Sequence, residues 1–400
     1  MLLLLETGAW ITRERIKGYS ILLISSYVVG FTVLSLTLQG NLDWMGRPFG
    51  TDFAGFYTAG IMVAEGAPAA PYDLGAFIAR QEALFGAQAA VFSWNYPPYF
   101  LAITRVLASL SYLPALLLWQ GVTLALYLLM LHGWLKPPFA LLGGAAFPAV
   151  FVTLGHGQMG FLIAALFGAA LLALERRPLL AGALFGLIAV KPHFGLLIPF
   201  ALMASGRWRA LAAASLMVAA MTAAALAAFG AETFAAFLDS LTFSRVHGIE
   251  YSNTGFHKLQ SAFTAVRLLG GSVGLAYALH GLLLAMVVAT TFWTWRSPID
   301  ARIKAASLMT GAFLATPYVF DYDMMLLAPA MAALVDYGIE RGFLRFEKSF
   351  LALVFVMPIL ARSIAMTGFV PAGFLTSLLL FVLIVVKARQ NAGSAAAAFA

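Results

Sequence analysis

The chain has 400 residues, 62% of them apolar and only 10% charged, with a net charge of +7. Soluble domains carry about 25% charged residues, so this chain has too little charge to coat a water-facing surface. Disordered chains, soluble dinucleotide-binding enzymes and nucleic-acid-binding domains are excluded, and a mean hydropathy of +0.91 points to a polytopic membrane protein.

The chain opens MLLLLETGAW. That apolar run is too short and too early for a secretory signal, and no basic region precedes it. The membrane address is therefore expected from the spans. A spanning helix needs about 20 apolar residues. Runs bounded by Pro, Gly and charge predict a first span at 18–38, then a polar outer loop at 39–97. Within that loop, helical spacing is expected at 53–65 and again at about 75–87. Segment 98–111 is too short to cross and is expected in the interface. Spans follow at 115–134, 139–155, 158–175, 179–191, 193–205, 209–230, 272–294, 302–316, 322–338, 349–366 and 371–387. Segments 179–191 and 193–205 are short enough for a re-entrant hairpin. The expected fold is an all-α bundle of about twelve transmembrane helices, one domain over 1–388, with a second outer loop at 231–271 and a disordered Ala-rich tail at 389–400. No internal repeat of halves is visible. Cys is absent, which removes disulfides, thiolate nucleophiles and Cys-ligated metals.

Charge sets the orientation. With the N-terminus cytoplasmic and the spans alternating, 16 of the 24 Lys and Arg fall inside, against 7 acidic residues. Outside are 8 basic and 10 acidic residues, so +9 inside and −2 outside make the total of +7. This is the positive-inside bias. Both termini are then cytoplasmic, and the long polar segments, with four of the six His, lie on the extracytoplasmic face.

The few outer polar residues are where chemistry is expected. Asp52 begins the 53–65 helix, and it is either an N-cap or a carboxylate able to take a proton at the interface. Tyr96, beside Pro97-Pro98, reads first as part of an aromatic belt. Lys191-Pro192-His193 lies between the two short segments, which suits an anionic ligand or a snorkelling Lys. Arg245, His247, His257 and Lys258 form the densest outer cationic group, with donors suited to phosphate oxygens. His156-Gly157-Gln158 reads as a tight polar turn with a structural His. Asp321 could cap a helix, and it makes no metal site with Asp323. There is no zinc-protease, Walker or nucleophile-elbow motif.

In order along the chain stand Asp52-Phe-x-x-x-Tyr57-x-Ala59-Gly60, Glu65-Gly66, Pro71-Tyr72-Asp73, Tyr96-Pro97-Pro98, Lys191-Pro192 and Pro317-Tyr318. The pattern resembles the polyprenyl-phosphate-mannose-dependent mannosyltransferase family of the C-type (GT-C) glycosyltransferase superfamily, over roughly 18–388. The chain departs from the commonest first-loop form in carrying Phe56 where a second Tyr precedes Tyr57. The resemblance implies a multispan helical bundle with helices on its outer surface, a polyprenyl-phosphate sugar donor, a lipid or glycan acceptor, and inversion at the anomeric carbon. It implies Asp52 as general base. It implies donor-phosphate binding by outer cations, for which Lys191, His193, Arg245, His247 and His257 are the candidates. Tyr57, Tyr96, Tyr318 and Asp321 are the candidate substrate contacts. No cofactor and no metal is expected. Mannose is favoured by the resemblance alone, with arabinose and glucose also open. The implied setting is a bacterial-type plasma membrane. The rival reading is a transporter or flippase of a lipid-linked or anionic substrate.

Overall fold

A computed structural model describes residues 1–399 except 88, 90, 91, 137, 138 and 253, with the backbone alone at 139 and 394–399. The described residues are helical with no strand; isolated bridges such as Leu259 to Phe320 are the only β pairing described.

Six helices are long and apolar enough to cross a membrane: Arg13–Leu36, Tyr112–Trp134, Trp208–Glu250, Val273–Arg296, Glu347–Gly368 and Ala372–Gly393. At about 1.5 Å per residue each exceeds the hydrocarbon thickness of about 30 Å. Their flanks are open: in Arg13–Leu36 only 11% of the apolar window is buried, and in Trp208–Glu250 only 17%. Leu22, Val29, Leu216 and Leu282 point outward, as side chains facing lipid must.

The other expected spans are short helices. Gly160–Ala173, Ala301–Leu314 and Leu327–Arg341 are enclosed on most of their faces. An apolar helix of 14 or 15 residues does not bridge the hydrocarbon layer, but it is stable when wrapped by longer helices. Segment 139–155 breaks at Phe147 into Phe139–Ala146 and Pro148–His156, because Pro148 cannot continue a helix. The 179–205 pair is likewise broken, with 3₁₀ turns at Ile188–Val190 and Pro192–Leu197 on either side of Lys191. Backbone of this kind is tolerated at membrane depth where protein covers it.

Two expectations change. The stretch from 231 is largely helical: Trp208–Phe243 runs through a break at Gly230 (φ 80°) and continues as a π turn over Ser244–Glu250. The Ala-rich tail extends the last helix to Phe399, consistent with Ala having the highest helix propensity. Segment 98–111 contains the amphipathic helix Phe100–Leu107. It packs on Phe53–Ala64 so tightly that a Cβ on Gly60 would lie 2.1 Å from the Thr104 carbonyl.

Ion pairs gather the charges at two ends of the bundle. Arg207–Glu175, Arg302–Glu340, Arg345–Glu6 and Lys387–Glu347 pair residues assigned to one face. Arg47–Asp43, Arg80–Glu65, Lys191–Asp323 and Arg362–Asp321 pair residues assigned to the other.

Candidate functional site

Asp52 stands at the head of Phe53–Ala64, and its carboxylate makes no cap hydrogen bond there. It turns instead to the His156-Gly157-Gln158 turn. Gln158 Nε2 donates to Asp52 Oδ2 at 3.0 Å, and Thr51 Oγ1 donates to Oδ1 at 3.3 Å. His156 Nδ1 lies 3.4 Å from Oδ1 and 2.8 Å from Thr51 Oγ1. The side chain of Asp52 therefore does not cap the helix, and His156 is hydrogen-bonded on both ring nitrogens beside it.

The turn is locked in place. Gly157 has φ +65°, and a Cβ there would meet Phe53 Cβ at 2.5 Å, so glycine is required on two counts. Trp119 Nε1 donates to the Gly157 carbonyl at 3.1 Å, and Gln120 Nε2 to that of Gln158 at 3.2 Å. Tyr112 donates to the Phe49 carbonyl at 2.8 Å and holds the approach to Asp52.

Arg362, from the Glu347–Gly368 helix, reaches the same place. Its Nε donates to Asp321 Oδ2 at 2.6 Å, and its Nη2 lies 2.9 Å from His156 Nε2. A guanidinium only donates. His156 Nε2 must then accept, which assigns the ring proton to Nδ1, facing Thr51 and Asp52. A chain of donors therefore runs from Arg362 through His156 and Thr51 to Asp52. Burial disfavours the charged form of Asp52, but His156, Gln158 and Thr51 outweigh it and hold the carboxyl below the ordinary aspartate value. It remains 20% exposed, whereas Asp321 is 1% exposed.

Beside these residues is a groove of about 330 Å³, lined by Phe31 and Leu34 of a lipid-facing helix and by Arg47, Thr51, His156, Asp321 and Arg362. Apolar and cationic walls thus meet in one opening. The 256–261 segment adds to its charge. Gln260 N donates to the Val319 carbonyl at 2.8 Å and draws the segment toward Asp321. Burial lowers the pKa of Lys258, and Arg362 lowers it further, against the pull of Asp52 and Asp321. Burial, then Lys258 and Arg362, lower that of His257.

The sequence-derived candidates divide. Tyr96 belongs to the site: its hydroxyl and Gln158 Nε2 are 3.0 Å apart, and burial raises its pKa well above the usual tyrosine value. Asp321 belongs to it as the partner of Arg362. Tyr57 donates to the Leu110 carbonyl at 3.0 Å and packs on Tyr112. Tyr318 packs against His193 and Phe320. Lys191 is neither snorkelling nor free, because it is buried in an ion pair with Asp323 beneath the Tyr322 ring. Arg245 pairs with Glu250 at 2.5 Å, and His247 stacks on Phe243 with centroids 3.9 Å apart. His193 lies against Phe194. Phe56, the departure from the family pattern, fills an aromatic box of Trp94, Tyr96, Phe100 and Trp119. Sequence reasoning passes over Thr51 and Arg362, and reads His156 and Gln158 as a structural turn. An Arg within an apolar span is costly and functional by default, and that signal was available for Arg362. Among the described residues no group of three or more His, Asp or Glu could hold a metal.

Six long apolar helices with lipid-facing flanks define an integral membrane protein. The chain belongs to glycosyltransferase family 87, whose family model matches residues 94–317, more than half its length. The match holds Tyr96, His156, Gln158 and Lys191; Asp52, Asp321 and Arg362 flank it. No curated protein and no solved structure gives a significant match. The protein is thus a membrane glycosyltransferase, and nothing among these findings favours a transporter.

Proposed function

We propose that the protein transfers a hexose, mannose being the favoured one, from a polyprenyl-phosphate donor to a lipid or glycan acceptor on the extracytoplasmic face. The observation that carries this is the juxtaposition of Asp52 with Arg362 beside a groove whose other wall is lipid-facing. The polyprenyl tail would lie along Phe31 and Leu34, with its phosphate near Arg362 and Arg47. Asp52 would take the proton from the acceptor hydroxyl as that oxygen bonds to the anomeric carbon. The bond from that carbon to the donor phosphate oxygen breaks, and the phosphate leaves with the electron pair. Arg362 would offset its developing charge, with Lys258 and His257 adding to the field. Attack opposite the leaving group inverts the anomeric centre. One carboxylate suffices, because phosphate leaves without a general acid. Lys191 would act through Asp323, by fixing the Phe320–Asp323 turn, rather than by touching phosphate.

The test is transfer in proteoliposomes with radiolabelled sugar on a polyprenyl monophosphate, on a polyprenyl diphosphate, or on a nucleotide. Turnover with the monophosphate lipid alone is expected. Consumption of the diphosphate lipid or the nucleotide sugar instead would overturn the donor assignment. Movement of intact lipid-linked sugar across the bilayer without cleavage would support the transporter reading.

A further inference from the structure

At the end of the bundle opposite Asp52 is a second cavity, of about 510 Å³, bounded by the ends of the helices Tyr112–Trp134, Gly160–Ala173 and Ala301–Leu314. Four cations line it, Arg176, Arg207, Arg302 and Lys304, against one carboxylate, Glu175. Most of this charge is matched. Arg207 binds Glu175, and Arg302 is held by Asp300, Asp336 and Glu340 at 2.7–3.0 Å. Lys304 is different. It is half-buried, and its ammonium donates to the Trp295 carbonyl at 3.3 Å, with Glu175 acting on it only from beyond ion-pair distance. The indole N–H of Trp134, on the same lining, is enclosed and has no hydrogen-bond partner among the described residues. Leu171, Leu172 and Leu174 complete the wall, and Leu172 also reaches the outer, lipid-facing surface.

An ammonium held by one long carbonyl hydrogen bond and no ion pair, and an N–H without an acceptor, beside an apolar wall, suit a phosphate oxygen carried by an amphiphile. Basic pockets between transmembrane helices at the positively charged face bind anionic headgroups for this reason. We propose that this cavity is a binding site for the phosphate headgroup of an anionic membrane lipid, separate from the transfer site. Lys304 and Trp134 donate to the phosphate, Arg176 and Arg207 add to the field, and the leucines meet the first acyl carbons.

The test is thermal unfolding of the full chain in neutral detergent, titrated with phosphatidylglycerol, phosphatidylcholine or inorganic phosphate. Phosphatidylglycerol should raise the wild-type Tm by several degrees, and the other two should not. Lys304→Gln should raise the half-saturating lipid concentration about fivefold, while Lys304→Arg retains the wild-type value. Trp134→Phe, which keeps the ring and removes the donor, should raise it about threefold. Arg345→Gln deletes an exposed cation assigned to the same face and should change nothing. Saturation of Lys304→Gln at the wild-type concentration would overturn the site. Equal weakening by Arg345→Gln would reduce it to general surface attraction. Full protection by inorganic phosphate, with no further gain from lipid, would overturn the lipid as its source.

Discussion

The two polar ends of the bundle handle their carboxylates differently. At the end assigned to the cytoplasm, carboxylates are matched to cations. Glu347 is buried against Lys387 and also takes the Leu344 N–H at 2.6 Å, and Arg302 gathers three acidic partners. At the other end Asp321 and Asp323 are matched in the same way, to Arg362 and Lys191. Asp52 differs from these two, with Gln158 and Thr51 donating to it and Arg362 meeting His156 rather than the carboxylate itself. A carboxylate locked to a cation contributes to structure and is a poor proton acceptor. One held by amides and hydroxyls stays ionised, oriented and free to accept a proton. On the proposed mechanism, this difference separates Asp52, the base, from Asp321 and Asp323, which hold the frame.

Substitutions can break this contrast. The largest effect is expected at Asp52: Asp52→Asn keeps the shape and should lower transfer about 10²–10⁴-fold, while the Tm changes little. Arg362→Met should follow, with turnover down about 10²–10³-fold, because the leaving phosphate loses its counter-charge. It also strands buried Asp321, so Arg362→Met paired with Asp321→Asn separates catalysis from folding. If the double variant regains both stability and turnover, Arg362 is a frame residue. Lys191→Met should act on stability instead, costing about 3–5 kcal/mol by leaving Asp323 buried and unpaired, and a denaturation midpoint measures it. A stable Lys191→Met with abolished turnover would move Lys191 into the site.

A subtler test is pH. The folded pKa of Asp52 lies below its ordinary value. The base therefore stays ionised to lower pH than an ordinary aspartate, and the acid loss of activity is shifted in the same direction. His156→Gln removes a lowering influence and keeps a polar side chain, so the acid limb of kcat/KM against pH should move to higher pH. A limb that does not move means that His156 leaves the charge on Asp52 unaffected. The smallest effect is expected at Tyr57, whose hydroxyl serves the Leu110 carbonyl. Tyr57→Phe should cost less than about 1.5 kcal/mol of stability and change turnover by a small factor.

The sequence carried some of this and not the rest. The membrane class, the sorting of charge to two faces and the position of Asp52 are local properties: apolar runs, Lys and Arg counts, and one carboxylate heading an amphipathic segment. The broken helices around Lys191 were visible in Pro192 and in the short apolar runs. What was hidden is long-range. Gln158 meets Asp52 across 106 residues, and Arg362 meets His156 across 206. Nothing near His156 signals that its turn will dock on Phe53, because the cause is a glycine with no room for a Cβ beside another helix. Lys191 looked available because its partner, Asp323, lies 132 residues further on. The short helices read as spans in the sequence because composition reports apolarity and not whether lipid or protein supplies the apolar surroundings.

The central claim is that Asp52 accepts the acceptor's proton. The direct measurement is the single-turnover rate of sugar transfer from polyprenyl-phosphate donor by Asp52→Asn, in liposomes where its Tm matches wild type. A loss of at least about 10²-fold is predicted, with the donor still bound. Transfer at close to the wild-type rate would contradict the account and return Asp52 to the frame.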